Sequence, residues 1–139
     1  MSDLRKIVEP FVRNVLGCGC PDAVFDDIRM VDPKDGLAGM PIDYLLLIGG
    51  RLLIVVCASD PDADMAAHLA QLVHSGRQLR DELGFNRFRL VVPLADMEST
   101  RKLRQAFAAL TGLDDRTHLH VLAPSMLPTI QFPSHPLQG

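Results

Sequence analysis

At 139 residues, 47% of them hydrophobic and 22% charged, the chain has the size and composition of one globular domain that buries its own core without metal or disulfide staples. A net charge of −3 and a pI near 5.9 argue against general affinity for a nucleic-acid backbone. Gly49, Gly50 and Arg51 divide the longest apolar run below the roughly 18 residues of a membrane span. The N-terminal stretch also lacks the apolar core of a signal peptide, so a cytoplasmic protein is expected. Three cysteines, an odd number, fit a reducing compartment in which Cys18, Cys20 and Cys57 rest as thiols.

Ser2 or Asp3 can cap a first helix in which Leu4, Ile7, Val8, Phe11, Val12 and Val15 share one face. Pro10 removes a backbone donor and should bend this helix or confine its regular part to the residues after it, and Gly17 suits the left-handed residue that ends it. In the following Cys18-Gly19-Cys20-Pro21-Asp22, Pro21 fits the first position of a short second helix and Cys20 falls at or beside its N-cap. Ile28 to Val31 reads as a short edge strand, and Asp32 to Gly39 as a turn-rich connection.

The stretch from Asp43 to Cys57 organises the rest. Two apolar runs flank Gly49-Gly50, a pair able to supply the positive φ angles of a two-residue hairpin turn, which would pair Ile48 with Arg51 and Tyr44 with Val55. Neither run alternates with polar residues, so both faces must be covered. The expectation is a single α/β domain over residues 1–123, with a central mixed sheet built on a buried β-hairpin and helices packed against it.

Ser59-Asp60-Pro61-Asp62-Ala63-Asp64 is a helix start, and the helix should run to about Leu83 with Met65, Leu69, Leu72, Gly76, Leu79 and Leu83 in one stripe. Gly76 weakens that helix by about 1 kcal/mol relative to Ala, which predicts a close approach to the sheet there. Gly84 ends it. Arg87 to Val92 reads as a strand and Met97 to about Thr111 as a helix capped by Asp96, with Leu103, Ala106, Phe107 and Leu110 inward; His118 to Leu122 is a last strand. Residues 124–139 form an extended Pro-rich tail whose Met126, Leu127, Ile130 and Phe132 suit packing along the domain or a partner chain.

Cys18-Gly19-Cys20 is the leading chemical candidate. A helix N-terminus favours thiolate, so Cys20 can serve as nucleophile or metal ligand. With one glycine between them, the two thiols can converge on a zinc or iron ion or form a local disulfide. Cys57, at the end of a central strand, could add a third thiolate and His68 a fourth ligand, if the first helix ends over that edge; alternatively Cys57 is a small core residue. His118 and His120 share a strand face, a spacing that metal sites use, without an acidic or cysteine neighbour in sequence, and His74 should be solvated. Arg77, Arg80, Arg87 and Arg89 cluster around Gly84-Phe85-Asn86 and suit a phosphate or an acidic partner, or else a solvated ion-pair patch with Asp81 and Glu82.

The element order resembles the core of the restriction-endonuclease-like fold over about Ile28 to Leu94. That resemblance implies an Asp near the start of the second strand, matched by Asp43, and a Glu-x-Lys on the third, which Leu53-Ile54-Val55-Val56-Cys57-Ala58 does not offer. It therefore implies an inactive relative, or one whose acids moved to Asp62 or Asp64. Leu16-Gly17-Cys18-Gly19-Cys20-Pro21 and Gly84-Phe85-Asn86-Arg87-Phe88-Arg89 resemble segments of small uncharacterised bacterial proteins, which imply no activity. Taken together, the residues suggest a binding or accessory protein with a Cys18/Cys20 metal or redox-sensing site, dimeric or partnered through the tail or an edge strand. A thiol-disulfide oxidoreductase using Cys20 and Cys18 is the alternative, with a nuclease-like domain below both.

Overall fold

The computed structural model describes residues 2–33, 36–37, 39–58 and 64–128, without the side chains of Ser2 and Asp3. A five-stranded mixed sheet in the order β1-β2-β3-β4-β5 forms the middle layer, from Ile28–Val31, Ile42–Ile48, Leu52–Cys57, Arg87–Pro93 and Thr117–Leu122. The first three strands are antiparallel neighbours, and β3, β4 and β5 run parallel. The β2–β3 hairpin is therefore central, as its uninterrupted apolar runs required.

Tyr44, Leu46, Ile48, Leu52, Ile54, Val56 and Val91 project to one face and meet Val8, Phe11, Val12 and Leu16 of the first helix. Leu45, Leu53, Val55, Cys57, Phe88, Leu90 and Val92 project to the other, beneath α2 (Met65–Leu83) and α3 (Met97–Ala108). A register shift between Ile42 and Tyr44 turns Ile42 to this second face.

The hairpin register differs by one residue from the expected two-residue loop. Gly49 and Gly50 do take φ of 62° and 63°, and the Arg51 N–H donates to Ile48 O at 3.0 Å. Ile48 nevertheless pairs with Leu52, and Tyr44 with Val56. The Arg51 carbonyl accepts the N–H groups of both Asn86 (2.8 Å) and Arg87 (2.9 Å), which holds Arg51 out of the β2 ladder and ties it to the start of β4.

Pro10 closes the regular α-helical part, which lies before it and not, as one expectation had it, after it. Helix α1 (Ser2–Pro10) passes there into a wider π-helical turn, Phe11–Val15, in which Leu16 N–H reaches back five residues to Phe11 O at 3.0 Å. Gly17, at φ 76°, ends it, and Cys18 N–H donates to Val12 O at 3.0 Å. Arg5 and Arg13 share Glu9, and reach Asp26 (2.6 Å) and Asp22 (2.7 Å) in the short 3-10 turn Asp22–Asp26, so helix and turn fix the loop 17–21 between them. The capping role read for Ser2 or Asp3 concerns side chains outside the described residues.

Asp64 caps α2 by accepting from Ala67 N–H at 3.2 Å; residues 59–63 of the predicted start lie outside the described residues. A Cβ on Gly76 would overlap the buried Phe88 ring, so this glycine permits the closest approach of α2 to the sheet, as expected. The stripe itself is Met65, Leu69, Leu72, Val73, Gly76 and Arg80, and Leu83 is exposed because the helix ends at Gly84 beyond the sheet. Asp96 caps α3 through Ser99 N–H (2.8 Å), and the helix stops at Ala108, short of the expected Thr111. In the tail, Pro124–Met126 make one 3-10 turn instead of extended chain and Leu127 packs against the first-helix core, while 129–139 lie outside the described residues.

Candidate functional site

The loop that follows the first helix lies over the N-terminal ends of β3 and β4. A cavity of about 450 Å³ opens between them, lined by Cys18, Gly19, Cys20 and Pro21 on one side and by Arg51, Asn86, Arg87 and Arg89 on the other, with Val24 and Leu52 beneath. Among these described lining residues three are arginines and none is acidic.

Cys18 and Cys20 are joined as a disulfide across one residue, with Cα atoms 5.4 Å apart. The two sulfurs are thus brought together in the local pairing that the single intervening glycine allows. Cys18 is buried in the core under the first helix and Cys20 is half-exposed. The helix following Cys20 is only a five-residue 3-10 turn with Pro21 at its cap, so it supplies little of the dipole expected to favour thiolate. The positive charge near the sulfurs comes instead from the arginines across the cavity.

Cys57 does not join them. It occupies the far end of β3, five residues and roughly 16 Å from the cavity end, and faces α2 and α3 on the opposite side of the sheet. Burial pushes its thiol up to about 12, which leaves it neutral and inert. The first helix ends over the opposite end of the strand from the one that three converging thiolates needed. His68 is occupied at Asp64 O (3.0 Å), and among the described residues no group of three His, Cys, Asp or Glu could hold a metal ion.

The four arginines divide into two pairs. Arg80 is 1% exposed and closed by acids: its Nε donates to Asp81 (3.0 Å), and its two terminal nitrogens to Asp114 at 3.3 and 3.0 Å, with Thr117 Oγ1 at 3.3 Å. Burial works against its charge, but these carboxylates outweigh it and hold the guanidinium protonated. Burial alone would raise the Asp114 carboxyl; Arg80, the Thr117 hydroxyl and the Arg116 N–H outweigh that and keep it well below the usual range. Arg77 lies 3.5 Å from Asp114, and its buried Nε has no hydrogen-bond partner. Arg80 is thus engaged in an ion-pair network that Arg77 joins at its edge, the alternative that the sequence left open beside an anion site.

Arg87 and Arg89 alternate on β4 toward the face of the first helix. Arg89 is 8% exposed, yet its Nη1 meets only neutral acceptors, Leu16 O at 3.3 Å and His120 Nε2 at 2.8 Å. A guanidinium can only donate, so His120 is the neutral tautomer with its proton on Nδ1. The Leu16 carbonyl belongs to the negative end of the first helix, which offsets part of the charge. Arg89 Nε is sealed from solvent with no partner, a state that costs about 1–3 kcal/mol. Burial and then the neighbouring Arg87 push the Arg89 pKa down. Burial followed by Arg89 and His118 pushes His120 down to about 4; His118 is lowered by burial, Arg89 and Arg87, and its buried Nε2 is also unpartnered. These histidines are neutral neighbours of a cation, an environment that repels a metal ion.

Asp43 is exposed at the β2 register shift, β3 is six buried residues without a charge, Asp64 serves as a helix cap, and Asp62 lies outside the described residues. His74 is exposed, as expected. Comparison with known proteins gave no match to a family model, a curated protein or a solved structure. Among the described residues no helix is long and apolar enough to cross a membrane.

Proposed function

We propose that the chain is a binding or accessory protein whose Cys18–Cys20 pair works as a redox-responsive thiol site. The observation that supports this reading is the bonded pair at the wall of an arginine-lined cavity, with one sulfur-bearing residue buried and the other half-exposed. Reduction takes two electrons and two protons and yields two thiols; two molecules of a thiol reductant RSH supply them and leave as one RSSR. Cationic surroundings favour thiolate, so Arg51, Arg87 and Arg89 on the facing wall would favour the reduced pair in its ionised form. In a cytoplasm the pair would rest reduced and close to the disulfide on exposure to an oxidised thiol compound.

A zinc or iron site is less well supported, because two thiolates would need further ligands and three arginines oppose a cation. A thiol-disulfide oxidoreductase is the second reading, favoured by the difference in exposure: Cys20 is the sulfur that a partner reaches, and buried Cys18 the one that resolves the mixed disulfide. A nuclease-like reading lacks an acid on β3 and finds Asp64 already engaged as a cap. The sheet edges β1 and β5 and the segment after Leu122 are the surfaces proposed for a second copy or another protein.

Thiol counting with metal analysis, on protein purified without an affinity tag, tests the proposal. Two thiols beyond Cys57 should appear under dithiothreitol and disappear together under an oxidised thiol compound, and this paired change should be lost in Cys20→Ser, which keeps only the Cys18 thiol, with no stoichiometric metal. Turnover of a disulfide substrate would favour the oxidoreductase, stoichiometric metal lost in Cys20→Ser the metal site. Thiols that never change in folded protein would leave the pair with packing alone.

A further inference from the structure

Among the described residues no acid touches the buried charge of Arg89, and one of its N–H groups has no acceptor. Such a group is 92% enclosed and lines the cavity, whose other cations, Arg87 and Arg51, are exposed at its rim beside the amide of Asn86. A volume of about 450 Å³ admits a ligand of metabolite size. Planar guanidinium groups pair with carboxylate and phosphate through paired N–H donors, and one such oxyanion in the cavity would answer the charge that Arg89 brings to its wall.

We propose that this cavity binds a small anion through a carboxylate or phosphate group held by Arg89 and Arg87, and that the disulfide form is the one that binds it. The first half stands on the arginines alone. The second rests on the redox reading above: reduction sets thiolate charge on the Cys18–Cys20 wall, facing the same arginines, where it repels the anion and substitutes for it. Linkage makes the effect mutual, so an occupied cavity also makes the disulfide harder to reduce.

The test is calorimetric titration at constant ionic strength with inorganic phosphate and, separately, succinate, which distinguishes the two oxyanions. Oxidised protein should bind at least one of them saturably at one site. Arg87→Gln should weaken that binding tenfold or more, and Arg29→Gln, an exposed arginine on β1, should not. Protein reduced with dithiothreitol should bind at least fivefold more weakly, and the neutral Cys18→Ser/Cys20→Ser variant should bind as the oxidised form does. No saturable binding of either anion to folded oxidised protein overturns the site, even where thiol counting shows the pair to cycle. Equal affinity in both redox states overturns the coupling. Thiols that do not cycle refute the redox reading, while binding lost in Arg87→Gln would still establish the anion site.

Discussion

Arg80 and Arg89 are both buried guanidinium groups, 1% and 8% exposed, one beneath α2 and one beneath the first helix, and the structure treats them in opposite ways. Arg80 is met by Asp81, Asp114 and Thr117, with Asp114 also held by the Arg116 N–H and the Thr117 hydroxyl at 3.0 and 2.8 Å. The network ties α2 to the loop before β5. Arg89 is met by a carbonyl and a neutral imidazole, meets no acid among the described residues, and lines a cavity. A buried cation closed by acids holds a fold together. One left without an acid carries a charge that a ligand can answer.

The largest expected effect breaks the closed side. Asp114→Asn leaves Arg80 buried with only the exposed Asp81 carboxylate, and should cost about 3 kcal/mol in urea unfolding, toward the lower end for a broken buried pair because Asp114 is 23% exposed. Replacing Arg80 by Met in the same chain should recover part of that loss, since the stranded charge is then gone. A cost below 1 kcal/mol for Asp114→Asn would mean that the network holds little.

A pH titration separates the two sides. His120 accepts from Arg89 through Nε2 only while neutral, and burial, then Arg89 and His118, work against its charge. Its folded pKa of about 4 lies below the ordinary 6.5, so between those values the unfolded chain takes up a proton that the folded one refuses. Stability is therefore whole above pH 6.5, falls as pH drops, and flattens below about 4, for a loss of at most about 3 kcal/mol. The Asp114 carboxyl is held below its ordinary 3.8, so its contribution persists down to that pH and is lost only beneath it. Urea midpoints from pH 7 to pH 4.5 should fall for the native chain and fall less steeply in His120→Gln, where only the lowered His118 is left to contribute from this pair. A native midpoint that stays level over that range would contradict the neutral imidazole.

Much of the architecture was legible because it rests on local rules. The Gly49-Gly50 turn, the Asp64 and Asp96 caps, the Gly84 stop and the small residue at Gly76 each declare their function within a few residues. What the sequence concealed depends on distance. Arg80 stood in the apolar stripe at spacing 69, 72, 73, 76, 80, a signal that could have placed it inward, but its partner Asp114 comes 34 residues later. The meeting of Cys18–Cys20 with Arg87 and Arg89 was hidden in the same way, since it depends on which end of the sheet the first helix reaches. Position 57 looked suited to a site by a rule about strand ends, and the helix terminates over the other end.

The smallest expected effect sharpens the contrast most. Arg87 is exposed and forms no ion pair among those found in the described residues, and its charge works against that of Arg89. Arg87→Gln should therefore leave stability within about 0.5 kcal/mol of the native chain, or raise it slightly, with the gain larger at low salt where like charges are less screened. Removing a charge from the closed network costs several times as much, because there each charge answers another. On the open side the ligand would supply the answering charge, so in its absence an arginine at the rim contributes repulsion to the fold and only in its presence contributes attraction. Urea unfolding of Arg87→Gln with and without phosphate or succinate reads both signs: near-neutral or stabilised in plain buffer, and no longer stabilised by whichever anion stabilises the native chain. A clear loss of stability in plain buffer would show that Arg87 already has an internal partner and that the two sides of the sheet are less different than their arginines imply.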